Sequence, residues 1–144
     1  MVKKKTAKPK RPSKSKLLKK ADNIFSKYIR LRDADKHWVV KCPLCWARMP
    51  RKQSQNMHFI KRACWLYRFD ETNCHAGCYR CNVKLHWNYI EYTRYMIAEY
   101  WLDYVDKMRK ESKKIHKEPK LYDYENIIET YTNKIIDFSK KLTA

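Results

Sequence analysis

Two cysteine pairs, Cys42 and Cys45 in "CPLC" and Cys78 and Cys81 in "CYRCN", stand 32 residues apart. Each C-x2-C unit can bend two thiolates toward one point, and four thiolates complete a tetrahedral Zn²⁺ shell with no open position. Such a zinc is structural; a redox pair is the alternative for either unit alone. In small domains that are unfolded without metal, the site contributes roughly 10 to 16 kcal/mol. Pro43 suits the knuckle inside the first pair, because its φ is already near the value a turn needs. Cys64 and Cys74 fall outside the two units and are expected as buried thiols, Cys74 being the one that could stand in for a zinc ligand.

Between the pairs lie the residues that could do chemistry. His58 sits in "NMHFI", Asn73 ends "RFDETN", and Asn82 follows Cys81 directly. A histidine with apolar neighbours is most often a packed core residue. Here the zinc would fix the backbone of Asn82 and bracket the segment carrying His58 and Asn73, so the three can form a preorganised catalytic set. An imidazole titrates near neutrality and can take a proton from a water attacking phosphorus. Asn73 is the candidate to orient it. A hard cation, Mg²⁺ or Mn²⁺, would take oxygen ligands including the Asn82 side chain and stabilise the departing 3′-oxygen. Lys61, Arg62 and Arg68 could grip flanking phosphates.

The whole chain is charged accordingly. Its 144 residues hold 34 Lys+Arg against 15 Asp+Glu, a formal charge of +19. Self-repulsion of that size favours a polyanionic partner, with nucleic acid first and an anionic membrane surface second. No stretch approaches 18 uninterrupted apolar residues and the basic N-terminus has no apolar leader, so a cytoplasmic protein is expected. Six cysteines there suit metal ligation better than disulfides.

The elements that must position these groups are legible as periodicities. Residues 1–15 combine Lys, Pro and Ser and read as a disordered basic arm that contributes charge without sequence information. From Lys16 to about Asp33, Leu17, Leu18, Ala21, Ile24, Phe25, Tyr28 and Ile29 make one helical face. "HWVVKC" reads as a strand delivering Cys42, "NMHFIKR" as a second strand, and "YRFDETNCHAG" as a loop ending at Gly77, the single glycine. That glycine implies positive φ or close approach. A long helix is expected over 78–112, its apolar face carrying Leu85, Tyr89, Tyr92, Met96, Tyr100, Leu102 and Val105. Its tyrosines are core rather than base-stacking groups by their spacing. "KKIHKEPK" is a hinge, and Ile127, Ile128, Tyr131, Ile135 and Phe138 mark a final amphipathic helix that packs on the first or the long helix. The expected architecture is α+β, in three parts: the arm, a zinc-bound core with its helices over 16–112, and the hinge and last helix over 113–144.

The segments "IRLRDADKHWVVKCPLC", "HFIKR", "RFDETN", "CYRCN" and "NYIEY" resemble the phage NinG/Rap recombination proteins over about Phe25 to Tyr92. The clasp with an internal histidine and a "CxxCN" ending is also similar to phage recombination endonuclease VII. These likenesses imply a treble-clef core of the HNH type and cleavage of Holliday junctions or other branched DNA in the host cytoplasm. They also imply zinc on Cys42, Cys45, Cys78 and Cys81, His58 as general base and Asn82 as metal ligand. Endonuclease VII carries an acidic ligand immediately before its catalytic histidine, where this chain has Met57. Asp70 and Glu71 are the expected substitutes, their other role being salt bridges or helix capping. Asn88 matches a family asparagine and joins the candidate metal ligands; His75 and His86 are further candidates near the site.

Two opposed nicks in a four-way junction suggest a homodimer. A zinc-organised nucleic-acid-binding protein without hydrolytic activity, and an HNH nickase acting on ordinary duplex, are the competing functions.

Overall fold

The computed structural model describes residues 9–84 and 88–143. In chain order the elements are α1 (Lys14–Arg32), β1 (Val39–Lys41), β2 (Arg48–Pro50), β3 (Gln55–His58), the single turn α2 (Trp65–Arg68), β4 (Cys74–Gly77), α3 (Tyr89–Tyr100), α4 (Leu102–Ser112) and α5 (Leu121–Thr143). A wide helical turn at Arg80–Lys84 follows β4. Helices therefore dominate, with two small antiparallel sheets, β1–β2 and β3–β4.

The first helix starts where Ser13 caps it, its hydroxyl accepting from the Lys16 backbone N–H at 3.4 Å. Capping satisfies one of the donors a helix start leaves open. Leu17, Ala21, Phe25 and Ile29, at the expected spacing, are all buried. Leu17 and Ala21 pack with Tyr124 of α5, and Phe25 and Ile29 with Tyr131. Numbering thus rises along both helices together, so α1 and α5 run side by side in the same direction. The basic segment before α1 is partly tied down, Arg11 pairing with Glu125 and Lys14 with Glu118.

In the β3–β4 hairpin, Met57 stands opposite His75 and His58 opposite Cys74. Because side chains alternate across a strand, the hairpin serves two cores. Cys74 joins the α1–α5 cluster. Met57 joins a second one with Cys42, Cys81, Tyr92, Met96, Val105 and Met108. Gly77 is needed for close approach alone, as the described glycine has no positive φ. A Cβ there would lie 2.3 Å from Met57 Cε and 3.3 Å from Cys42 Sγ.

Two expectations fail here. "CHAG" is a buried strand, not loop; it has no β-branched residue, so only its pairing with β3 and its packing on both faces reveal it. The long helix is also broken, since Trp101 at φ 69° divides α3 from α4. Along one straight helix Met108 would lie about 24 Å beyond Tyr92. The reversal instead lets Tyr92, Met96, Val105 and Met108 share one core, and Arg109 donates to Thr93 Oγ1 at 2.9 Å across the turn. Leu85 and His86 lie outside the described residues.

Candidate metal centre and adjoining groove

Cys42 and Cys45 come from the β1–β2 knuckle, Cys78 from the end of β4 and Cys81 from the turn that follows. Their four Sγ atoms lie within 4.8 Å of one another, with Cys45 and Cys78 3.6 Å apart. Tetrahedral Zn²⁺ at about 2.3 Å from each sulfur puts the sulfurs about 3.8 Å apart, so the set fits a structural zinc. Burial pushes the Cys42 and Cys81 thiols up. Burial acts likewise on Cys78, but hydrogen bonds from the Cys81 backbone and the neighbouring thiols outweigh it and hold Cys78 below its ordinary value. A divalent cation would supply the positive charge that four adjacent thiolates require. Asn88 Nδ2 donates to Cys81 Sγ at 3.2 Å, supporting the ligand from outside the metal shell. Cys74 stands apart in the α1–α5 core, and Cys64 precedes α2.

His58 and Asn82 face a common groove of about 610 Å³, walled by α1 through Asp22, Ser26 and Arg30. A carbonyl can only accept, so the 3.0 Å contact of His58 Nε2 with the Arg68 oxygen fixes the proton on Nε2. The Nδ1 lone pair is then the basic site of the neutral ring. Burial lowers the His58 pKa to about 4, Arg62 and Arg68 adding to the effect against the Arg68 carbonyl and Asp22. The ring is consequently neutral at physiological pH. Asn82 donates its Nδ2 to Gln55 Oε1 at 2.7 Å, which leaves its Oδ1 for another partner. Asn56, two residues before His58 and on the same strand face, has a buried Oδ1 with no hydrogen-bond partner among the described residues. Both amide oxygens suit a hard cation completed by water and substrate oxygens.

Asn73 is fully buried and its side chain hydrogen-bonds to Ile60 and Tyr67, not to His58. Its Oδ1 accepts from Ile60 N at 2.7 Å, and its Nδ2 donates to the Ile60 and Tyr67 carbonyls at 3.0 Å. It thereby pins the loop that presents the Arg68 oxygen. Met57 points away from the groove into the second core. Asp70 and Glu71, expected beside His58, serve elsewhere. Asp70 Oδ1 accepts from the Thr72 and Asn73 backbones. Glu71 is bound by Tyr28, Tyr131 and Lys134. Arg68 is likewise committed, donating to both oxygens of Asp22 and to the Arg62 carbonyl. Lys61 and Arg62 do line the groove and are exposed.

His75 is buried beneath α3. Tyr92 donates to the Met57 carbonyl at 3.1 Å, so it accepts from His75 Nδ1–H at 2.9 Å, while Tyr100 donates to Nε2 at 3.0 Å. Both nitrogens are occupied and neither meets the cysteine cluster. Asp22, Gln55, Asn56 and Arg30 were not singled out from the sequence. The available signal was the polar stripe Asp22, Ser26 and Arg30 at four-residue spacing, flanking the apolar face of α1.

These features define a small α+β protein with a four-cysteine cluster able to hold a structural metal, and a groove beside it edged by Arg30, Lys61 and Arg62. A family model of the bacteriophage lambda NinG protein matches residues 1–141, and the chain belongs to that family, which is associated with phage recombination. No curated protein and no solved structure matches the chain. No described helix is long and apolar enough to cross a membrane.

Proposed function

We propose that the protein is a metal-dependent DNA endonuclease of the HNH, treble-clef type that cleaves Holliday junctions or related branches. The observation that carries this is the convergence of His58 and Asn82 on one groove, each with its other polar atom already engaged. Knuckle, hairpin and following turn supply the parts of a treble clef around one zinc. In this mechanism His58 Nδ1 takes the proton of the attacking water, a role that contributes typically 10² to 10⁴ in rate. Asn82 Oδ1, with Asn56 Oδ1 beside the same groove, would hold a Mg²⁺ or Mn²⁺. When bound, that ion supplies charge stabilisation at the departing 3′-oxygen. Lys61 and Arg62 hold phosphates next to the scissile one. Two nicks in opposed strands call for two such sites, as a two-fold dimer provides.

A binding protein without hydrolysis is the second reading. It is favoured by one observation: Asp22 is the one carboxylate among the described groove residues, and Arg68 occupies both its oxygens. Cleavage of a labelled four-way junction, a flap and a linear duplex in Mg²⁺ or Mn²⁺ decides. The expected result is branch-dependent cutting by the wild type and none by His58→Ala, which still binds. Zinc-loaded protein that binds the junction and cuts nothing would leave the binding reading; equal cutting of duplex would point to a nickase.

A further inference from the structure

We propose that Arg30 and Arg51 form a second phosphate site, at the far end of the groove from His58, that grips a DNA backbone flanking the cleavage point. The inference rests on the DNA-binding part of the function proposed above and adds a site that its chemistry does not need.

Asp22, Ser26 and Arg30 lie on one stripe of α1 and all line the groove. Asp22 stands at the end where Arg68 is anchored. Arg30, two helical turns on, is displaced by about 12 Å along the axis. Its guanidinium has no carboxylate partner among the described residues; its Nε donates only to the Ser26 carbonyl one turn back, at 3.3 Å. Arg51 lies on the turn between β2 and β3, beside the same groove: Ser54, which lines the groove with Arg30, donates its hydroxyl to the Arg51 carbonyl at 2.7 Å. The Arg51 guanidinium lies over the Trp38 ring at 5.1 Å, and its buried Nε has no hydrogen-bond partner among the described residues.

Two like charges that share one side of the groove, with no carboxylate partner among the described residues, repel each other. The Arg30 pKa is lowered, first by burial and then by the charge of Arg51. Within a fold that pairs Arg11, Arg32, Arg48, Arg68 and Arg94 with carboxylates, this arrangement is left for an external anion. Guanidinium forks match phosphate oxygens, and stacking on Trp38 holds one fork in place in advance. A monovalent ion would satisfy charge alone. A phosphodiester strand following the groove from Lys61 and Arg62 past His58 reaches Arg30 and the Ser54 turn that carries Arg51, and therefore fits the spacing better.

The test measures binding of a four-way junction and a linear duplex against salt, without divalent ion, for zinc-loaded Arg30→Gln/Arg51→Gln and Arg30→Lys/Arg51→Lys. Losing two phosphate contacts lowers the slope of log affinity against log salt by about 1.8. The Gln pair is expected to show that loss and at least tenfold weaker binding at moderate salt. The Lys pair, which keeps charge, is expected to retain the slope. An unchanged slope in a folded Gln pair overturns the site, and so does equal loss in the Lys pair, which would mark a structural role. Because no cleavage is read, a protein that binds through this pair but cuts nothing sinks the nuclease reading and leaves this site standing.

Discussion

The Nε2–H of His58 donates to the Arg68 carbonyl at 3.0 Å, and the Arg68 guanidinium is itself clamped by Asp22 from α1. One residue thus joins the helix to the hairpin loop and sets the tautomer of the proposed base. Its side chain is only 13% exposed, which suits positioning better than phosphate contact. Arg68→Ala is expected to lower cleavage by at least about tenfold and stability by roughly 1 to 3 kcal/mol through the unpaired Asp22. Its salt dependence of DNA binding should match the wild type. A reduced salt slope would show that Arg68 meets phosphate after all.

Asn73 acts one step further back. Replacing it with Ala strands the Ile60 N–H and leaves two carbonyls short of a donor. Lost buried hydrogen bonds of this kind cost about 1 to 3 kcal/mol each when one partner stays unsatisfied. Denaturant unfolding of Asn73→Ala should show a loss of about 3 kcal/mol or more. Asn73→Asp should not restore it, because a carboxylate cannot donate to the Ile60 and Tyr67 oxygens. Equal stability of Asn73→Ala and wild type would remove Asn73 from the account.

Gly77 and Met57 should be coupled. The added methyl of Gly77→Ala would lie 2.5 Å from Met57 Sδ, and Met57 is buried. Overpacking of this kind costs typically 1 to 3 kcal/mol. Met57→Ala alone opens a cavity and costs about 2 to 5 kcal/mol. In the double variant the new methyl fills part of that space, so the sum should be less than additive by at least about 0.5 kcal/mol. Strict additivity in a thermal or urea double-mutant cycle would mean that the hairpin relaxes around the methyl.

How much of this was visible beforehand depends on the range of the signal. The cysteine spacing and the α1 and α5 periodicities are local patterns, and the structure assembles them much as expected. His58 and Asn82 line one groove, because metal spacing constrains the chain around them. The failures are tertiary. Nothing in "CHAG" favours a strand until β3 lies beside it, and no proline or glycine marks the reversal at Trp101. Asp70 and Glu71 were attractive as free carboxylates near His58 in sequence. In space Glu71 meets α5, about 60 residues later in the chain, a partner no local pattern announces.

Removal of zinc should unfold the core rather than merely silence it. Cys42, Cys81, Met57, Tyr92 and Met96 share one cluster, so the metal site and apolar packing form together. Cys42→Ser or prolonged chelation is expected to abolish the cooperative thermal transition, given that structural zinc contributes roughly 10 to 16 kcal/mol in such domains. A normal transition in protein shown to be zinc-free would overturn the structural role of the cluster.

His75 makes stability depend on acidity. Burial lowers its pKa from 6.5 to about 4, and the tyrosine contacts fix a neutral ring whose Nδ1 donates and Nε2 accepts. Between those two values the unfolded chain binds a proton that the folded chain refuses. Stability from this group is therefore complete above pH 6.5 and is lost as pH falls toward 4. The slope is up to about 1.4 kcal/mol per pH unit. His58, lowered for the same principal reason, contributes in the same window and direction. Zinc thiolates add a further acid sensitivity, which is shared by every variant that keeps the cysteines. The informative quantity is thus a difference: urea unfolding of wild type and His75→Gln from pH 7 to pH 4. The variant should be less stable at pH 7 yet lose stability less steeply on acidification, by roughly one proton's worth of slope. Parallel pH profiles would mean that His75 titrates alike in the folded and unfolded chain, and the neutral ring held between Tyr92 and Tyr100 would have to be abandoned.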